Sequence, residues 1–344
     1  MGYYCGIDLG NKETLICIIQ KNRQVVKEEQ ILTNGESLQA SLGKYRKLTC
    51  IVEASPLAEW LCMEVEKLGH KVSMVCPRKA KVALASQSKK KTDRRDARAL
   101  AELCRSGWYE AVHRKSEEAR EMRSYLTARK QLVESSTAIS SSIRGILRAH
   151  GVKLQACTDD PNFEGRVRKA SKKLPELARR GIEELLKAFE LLHVQQRTLY
   201  KELHKHAREN EITKLLQTIP GVGPATAAAF VATIDDPNRF PDGEKVAAYL
   251  GLTPSVYQSG ETEYRGRITK TGDKLLRWLL VEAAHILLSR SGTPCELKAR
   301  GLKLQEAKGV GKARVAVARL YAGIMWKMWK DKSEFYPEPL PAAA

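Results

Sequence analysis

The sequence predicts an α/β domain followed by an all-α region, and two observations carry this prediction. In the first 80 residues, short apolar segments alternate with turns and amphipathic helices, as in a mixed α/β sheet. After residue 93 the apolar residues recur at helical spacings of three and four. We therefore expect an amino-terminal mixed sheet with helices, a central hairpin of long helices, and a mainly helical carboxy-terminal domain.

Five strands are predicted in the amino-terminal domain, each bounded by turn residues or by a change to helical spacing. Asn11-Lys12 and Lys21-Asn22 supply the turns between the first three strands. A short helix over residues 38–42 and an amphipathic helix near residues 56–68 lie between the later strands. The predicted strands are residues 3–8, 14–20, 23–31, 48–53 and 71–76.

Two long helical segments on either side of a polar break dominate the middle of the chain. Apolar residues keep helical spacing from Met122 to Leu147 and again from Ile182 to Leu203. The segment 151–165 interrupts this pattern with Asp159-Asp160-Pro161-Asn162. Such an arrangement predicts an antiparallel hairpin or coiled coil, packed either within one chain or between chains.

The last third is predicted to be mainly helical. Helices are expected over residues 225–234, 243–250 and 272–289, with a polar, turn-rich stretch around residues 258–267 between the last two. The resulting domain boundaries are 1–110, 111–210 and 211–332, followed by a loose tail over 333–344.

Charge and cysteine usage narrow the class of protein. The chain has 59 Lys and Arg against 40 Asp and Glu, a net charge of +19. This predicts a polyanionic partner, because these cations release counterions from phosphates. The alternative is that the charge only keeps the protein in solution, for which about 2 to 8 net charges suffice.

The eight cysteines form no CxxC pair and are expected to be buried reduced thiols. Without an export signal or a membrane-spanning apolar run, a cytoplasmic protein is expected.

Four carboxylates predict a metal site. Asp8, Asp93 and Asp96 are the only aspartates among the first 110 residues, and Asp8 and Glu53 each end an apolar run. Residues three apart share a helix face, so Asp93 and Asp96 can reach one ion. Magnesium, and also manganese, prefers such oxygen ligands and assists phosphoryl transfer. In the alternative interpretation Asp93 caps the helix and Asp96 pairs with a neighbouring cation.

A basic rim around these aspartates predicts that the substrate is a phosphodiester. Cations attract the nucleic-acid backbone while carboxylates hold the metal. The alternative is an ordinary solvated charged face. The rim cations that we expect to bind nucleic acid are Lys91, Arg94, Arg95 and Arg98, with Lys89 and Lys90 beside them.

Two further motifs lie in the last third. Pro220-Gly-Val-Gly-Pro224 resembles a helix-hairpin-helix turn, in which backbone N–H groups around Gly221 and Gly223 would bind a phosphate. The alternative is a tight glycine turn between packed helices. Ser259 is a candidate nucleophile if nearby cations activate it, since Arg265, Arg267 and Lys270 follow in sequence. By spacing alone, Ser259 is more simply interpreted as an ordinary turn serine.

Taken together, the motifs resemble the IS110 family of insertion-sequence transposases, including the Piv- and MooV-type DNA invertases, over nearly the whole chain. In that family a RuvC-like domain of RNase H fold carries an Asp-Glu-Asp-Asp tetrad. Gly6-Ile7-Asp8, Val52-Glu53-Ala54 and the segment 91–97 match its motifs. In the carboxy-terminal serine domain, residues 220–224, 248–254, 259–260 and 265–272 match the family pattern in order.

The resemblance implies an RNA-guided recombinase. Ser259 would attack DNA with help from magnesium on the tetrad, and a noncoding bridge RNA from the element would pair with donor and target DNA. The protein would be a homo-oligomer, a dimer or tetramer, whose active sites combine two subunits. Three rivals remain open: a RuvC-like junction nuclease that uses water, an actin-like ATPase or kinase suggested by Gly6 to Gly10, and a nucleic-acid-binding protein with an inactive site.

Overall fold

The computed structural model describes residues 2–78, 80, 93–154, 162–259 and 262–337, and at positions 93, 256–259, 262, 263 and 265 it describes the backbone alone. The chain divides into two compact units, Met1–Lys115 and Ser116–Ala344. Within the described ranges, no helix combines the length and apolar character needed to cross a bilayer.

The first unit is built on a mixed sheet, and its strands begin and end within two residues of the predicted positions. The described strands are β1 (Tyr3–Leu9), β2 (Glu13–Gln20), β3 (Val25–Leu32), β4 (Leu48–Glu53) and β5 (Lys71–Val75), and the described helices are α1 (Gly35–Leu42), α2 (Ala58–Lys67) and α3 (Asp93–Ser106). Their order in the sheet is β3-β2-β1-β4-β5. The first three strands are antiparallel, whereas β4 runs parallel to both β1 and β5. The predicted mixed sheet is confirmed.

Both faces of this sheet are covered, which explains the continuous apolar runs in its central strands. Cys5 and Ile7 of β1 pack with Leu38 of α1 and Leu61 of α2 on one face. On the other face, α3 packs through alanines and leucines against β2 and β4. The site region therefore lies where α3 meets the central strands.

In its described residues, the second unit is helical apart from one β-hairpin. Its described helices are α4 (Glu117–Ala149), α5 (Phe163–Ser171), α6 (Glu176–Glu209), α7 (Glu211–Leu216), α8 (Pro224–Ile234), α9 (Gly243–Tyr249), α10 (Lys274–Ser289), α11 (Glu296–Lys308) and α12 (Val310–Asp331), with a short 3-10 turn at Pro237–Arg239.

The two long helices α4 and α6 pack against each other within one chain and run antiparallel. The Tyr125 hydroxyl donates to the Leu199 carbonyl at 2.7 Å, and the Gln196 amide donates to the Leu132 carbonyl at 3.0 Å. The later residue of α4 therefore contacts the earlier residue of α6, as expected for antiparallel helices. The predicted helical hairpin is present, while a coiled coil between subunits stays a prediction.

The stretch predicted to be turn-rich is in fact a β-hairpin, β6 (Pro254–Ser259) and β7 (Thr262–Ile268). Val256, Tyr257 and Tyr264 are residues that favour strands, but polar neighbours obscure their alternation. The sequence analysis also did not predict α11 and α12. The core of this region joins α8, α10 and α12 through Phe230, Leu280 and Tyr321, each fully buried.

Candidate active site

Helix α3 lies against β1 so closely that no side chain fits at Gly6. A Cβ atom there would lie 2.1 Å from the Ala97 carbonyl oxygen and 2.3 Å from the Ala101 nitrogen. Glycine in a strand interior is costly, and its use commonly marks such a close backbone approach. The contact fixes the distance between β1 and the helix that carries Asp96. This role of Gly6 was not predicted from the sequence, although a glycine inside an apolar strand is a signal for it.

Asp8 and Glu53 lie side by side at the carboxyl ends of neighbouring parallel strands. Ile7 pairs with Val52 in the ladder, so the two carboxylates follow at the next position, with strands about 4.8 Å apart. Since side chains alternate along a strand, Glu53 shares the face of Ile51, which packs with residues of α3. Asp8 likewise shares the face of Gly6. Both carboxylates are half-buried.

Helix α3 runs opposite to these strands, so its first turn reaches the same end of the sheet. Its last turn lies near the beginning of β4, where the Cys104 thiol donates to the Thr49 carbonyl at 3.2 Å. Ala97 lies over Gly6, and Asp96 and Asp93 precede it. Asp96 is half-buried, while Asp93 begins the helix. The structure thus directs Asp8, Glu53 and the first turn of α3 to one end of the sheet.

The donor set at this end suits a hard divalent cation, because carboxylate oxygens are the ligands that Mg²⁺ and Mn²⁺ prefer. Among the side chains that the structure describes, which exclude that of Asp93, no three His, Cys, Asp or Glu are grouped closely enough to hold a metal ion. Asp8, Glu53 and Asp96 have the chemistry that such an ion needs, and a metal centre formed by them with Asp93 stays a prediction.

The structure describes three of the four cations that were predicted to form the basic rim. Arg94 and Arg95 are exposed on the first turn of α3. Arg98 is also largely exposed, but its guanidinium donates to Glu28 on β3 at 3.1 Å. Lys91 lies outside the described residues. Arg94 and Arg95 are thus exposed on the helix turn that carries Asp96, and Arg98 is shared with a carboxylate of the sheet.

The glycine turn before α8 is packed on one side and open on the other. Gly221 has a φ of +86°, and a Cβ there would lie 2.5 Å from the Ala283 carbonyl of α10. The buried Tyr321 hydroxyl donates to the Pro220 carbonyl, and burial raises the pKa of Tyr321 well above its ordinary value. Gly223 has open space around it and begins α8 without a side-chain cap. Phosphate binding at this turn stays a prediction, and only the Gly223 side has room for it.

Ser259 ends strand β6 and pairs with Thr262 across the hairpin. Arg265 and Arg267 lie on the neighbouring strand β7, and Lys270 follows it. For Ser259 and Arg265 only the backbone is described, whereas the side chains of Arg267 and Lys270 are exposed. The hairpin therefore brings the serine and the predicted cations onto one small element.

A cation that the sequence analysis missed holds the turn after this hairpin. Arg277 of α10 donates from one guanidinium nitrogen to the Leu250 carbonyl at 3.1 Å and to the Thr271 carbonyl at 2.6 Å. The neighbouring Lys270 has a φ of +55°, which is uncommon for a residue with a side chain. Arg277 thus ties the unusual turn to the end of α9.

A half-buried ion pair anchors the same turn to α4. Asp273 caps α10 by accepting from the Leu276 N–H at 2.8 Å, and it accepts from Arg123 at 2.7 Å. Burial alone raises the pKa of Asp273, but the Leu276 hydrogen bond and the Arg123 charge outweigh it and hold that pKa below its ordinary value. An aspartate directly before an apolar helix is a recognisable cap signal, whereas its partner 150 residues away is not.

Comparison with known proteins identifies the family. Residues 5–151 match the model of a DEDD transposase domain, and residues 213–298 match the model described as "Transposase IS116/IS110/IS902 family". The transposase for insertion sequence element IS1111A of Coxiella burnetii is 30% identical over 332 residues, 94% of this chain and 85% of that protein. A probable family 20 transposase of Pseudomonas aeruginosa is 26% identical, covering 84% of this chain and 86% of its own.

A shorter match is to a protein that is named as a gene-inverting protein and not as a transposase. The pilin gene-inverting protein of Moraxella bovis is 33% identical over 110 residues, 32% of this chain and 33% of that protein. The long matches to transposases, together with the two family models, decide the classification. The chain belongs to the IS116/IS110/IS902 family of insertion-sequence transposases.

Proposed function

We propose that this transposase cleaves and exchanges DNA strands with Ser259 as nucleophile and with a divalent cation, Mg²⁺ or Mn²⁺, on Asp8, Glu53, Asp93 and Asp96. The observation that carries the proposal is the placement of Asp8, Glu53 and the first turn of α3 at one end of the sheet. Membership of a transposase family makes DNA the substrate. It also leaves the actin-like ATPase or kinase without support.

The proposed roles of the cation and of Ser259 follow from the chemistry of phosphoryl transfer. The bound cation would stabilise charge on the phosphoryl oxygens as it develops. The Ser259 oxygen forms a new bond to phosphorus while the bond from phosphorus to one DNA oxygen breaks, and that oxygen takes up a proton. The phosphoserine bond replaces one phosphodiester bond. An incoming DNA hydroxyl can therefore reverse the step and rejoin strands without an energy source.

A second serine of the hairpin, Ser255, is the obvious competitor for the nucleophile. Its hydroxyl donates to the Arg267 carbonyl at 3.1 Å, and a side chain at Gly266 would meet it at 2.5 Å. A hydroxyl held in this way between two strands stabilises the hairpin. This supports Ser259, the residue followed by glycine in the family pattern, as the attacking group.

The proposal extends to a noncoding bridge RNA as guide and to homo-oligomers, dimers or tetramers, with composite active sites. The tetrad belongs to the unit Met1–Lys115, whereas Ser259 belongs to the unit Ser116–Ala344. A net charge of +19 supports contact with more than one polyanion. The RuvC-like, RNase H-type character of the first unit, the coiled-coil role of α4 and α6, and phosphate binding at Gly223 are parts of the same proposal.

Single substitutions test the chemistry. In a recombination assay on the native element, Ser259→Ala and Asp96→Ala should each abolish strand exchange, whereas Ser255→Ala, a matched loss of one hydroxyl, should retain it. Strand exchange by Ser259→Ala would disprove the serine mechanism. If that variant loses strand exchange but retains metal-dependent nicking, the serine mechanism is favoured over attack by water.

Two further experiments test the proposed guide RNA and the proposed sharing of active sites between subunits. Omitting the noncoding RNA that flanks the element should abolish recombination, and equal recombination without it would refute guidance. Mixing Asp96→Ala subunits with Ser259→Ala subunits should restore part of the activity if one site uses two subunits. No recovery in mixed oligomers would mean that each site is formed within one chain.

A further inference from the structure

We propose that the last three turns of α6 bind an unpaired polynucleotide strand. The surface in question, called here the α6 stripe, is formed by Arg197, Tyr200, Lys201, His204, Lys205 and Arg208. The proposal goes beyond the strand-exchange chemistry and uses neither the tetrad nor Ser259. It assigns a nucleic-acid contact to side chains that do not belong to the proposed catalytic residues.

The members of the α6 stripe lie on one side of the helix. Their spacings of three, four, seven, eight and eleven residues keep them within less than half of the helix circumference, over about 16 Å of length. The other side of these turns is occupied: Leu203 and Ala207 are buried, and Glu202 accepts from the Tyr125 hydroxyl of α4 at 2.9 Å. The stripe is thus the exposed face of a helix whose opposite face is packed against the rest of the unit.

The positive charge of the stripe is not neutralised within the described part of the chain. No ion pair there joins Arg197, Lys201 or Arg208, and Lys205 approaches Glu209 only to 3.9 Å with both side chains largely exposed. Earlier on the same helix, Arg180 is paired with Glu176 at 2.6 Å and Lys187 with Glu184 at 2.7 Å. Unpaired cations in a row gain most from phosphates, because binding releases their counterions.

An exposed aromatic ring lies within this row of cations. Tyr200 is 46% exposed, and its ring meets that of His204 edge-on at 5.0 Å between centroids. The two side chains are also joined by a 3.1 Å hydrogen bond, which holds the tyrosine in place. Together with Lys201, Lys205, Arg208 and Glu209, they line a hollow of 460 Å³.

The combination of ring and cations indicates the form of the partner. A base stacks on an aromatic side chain only when it is unpaired, since bases in a duplex are stacked on each other. Phosphate contacts by Lys and Arg alone would suit a duplex equally well. Tyr200 within the hollow therefore favours a single strand with at least one base turned toward the protein.

Binding measurements on the full-length protein test this proposal without requiring catalysis. The probes are a 20-nucleotide oligouridine RNA, an oligothymidine DNA of equal length and a duplex DNA of equal length, with EDTA present and in a Ser259→Ala background. The variant Arg197→Gln/Lys201→Gln/Lys205→Gln/Arg208→Gln removes the stripe cations. The matched control Lys169→Gln/Lys172→Gln/Lys173→Gln/Arg179→Gln removes four exposed cations of the same unit.

The stripe variant should bind a single strand more weakly, and its affinity should depend less on salt. Each lost phosphate contact lowers the slope of log K against log salt by roughly 0.7 for a single strand, so four contacts lower it by about 3. The control should keep the wild-type slope. Both variants should melt as wild type does, because exposed substitutions change stability little.

The aromatic contribution has its own pair of variants. Tyr200→Ala should weaken single-strand binding roughly 5- to 150-fold, the loss expected for one stacked base, whereas Tyr200→Phe should retain it. If the substitutions weaken the binding of only the RNA or only the single-stranded DNA, that probe is the kind of strand that the stripe binds. Equal slopes for the stripe variant and its control, equal affinities for Tyr200→Ala and Tyr200→Phe, or a stripe-dependent preference for the duplex would each overturn the proposal. Failure of the serine mechanism would leave all these outcomes unchanged.

Discussion

Replacing Gly6 with alanine should separate α3 from the sheet and impair the metal site. The new Cβ would lie 2.1 Å from the Ala97 carbonyl oxygen and 2.3 Å from the Ala101 nitrogen, both backbone atoms that no side-chain rotation can move. Optimal contacts between carbon atoms need about 3.5 Å, so the helix must withdraw by roughly 1 Å or more. Overpacking of this kind costs about 1–3 kcal/mol.

The displacement should affect activity more than stability. A misplacement of about 1 Å at an active site can cost roughly 100-fold in rate, and Asp96 moves with the helix whereas Asp8 stays with the strand. Each kcal/mol lost should lower the melting temperature of a unit of this size by roughly 4–8 °C. Metal-dependent recombination and thermal unfolding, followed by circular dichroism, measure the two effects on one preparation.

The control is Gly145→Ala, because no atom lies within 4 Å of the Cβ position at that helical glycine. It should melt as wild type or higher, since alanine favours a helix by about 1 kcal/mol over glycine. If Gly6→Ala matches this control in both measurements, the close approach does not set the site. A lowered melting temperature with full activity would mean that the approach stabilises the sheet without positioning Asp96.

Three further predictions concern other parts of the molecule. Arg277→Met should cost about 1.5–3 kcal/mol of unfolding free energy, because two carbonyls lose a charged donor; an unchanged urea midpoint would contradict this. The lowered pKa of Asp273 stabilises the fold above about pH 3.9 and is lost as pH falls through the folded-state pKa. The stability gap between wild type and Asp273→Asn should therefore shrink below about pH 4, and a constant gap would refute the ion pair. Burial raises the pKa of Cys17 and Cys62 to about 11 and that of Cys104 to about 12, so iodoacetamide at neutral pH should alkylate them at least roughly 100-fold more slowly than in urea, as mass spectrometry can measure.

The strands of the first unit could be predicted because their apolar runs end at turn residues or at carboxylates. The same runs located Asp8 and Glu53, since each carboxylate directly follows buried residues. Hairpin β6–β7 was missed because its alternation of apolar and polar residues is irregular, and a register shift follows Pro254. The sequence pattern therefore predicted the strands whose buried residues follow one another regularly, and it failed for the hairpin where they do not.

Contacts between distant residues could not be predicted in the same way. A glycine inside a strand can signal a close neighbour, but only the packing of α3 identifies Ala97 as the neighbour of Gly6. Arg123 and Asp273 are separated by 150 residues, and nothing local distinguishes Arg123 from the other cations of α4. The contact of His204 with Tyr200 likewise depends on rotamers that the sequence does not specify.

The absence of a side chain at Gly6 has an evolutionary consequence. Because backbone atoms of α3 and β1 meet directly, their separation does not depend on the size of any interdigitating side chain. Leucines, isoleucines and valines elsewhere in the core can then be substituted during divergence without changing the distance between β1 and α3 that this backbone contact sets.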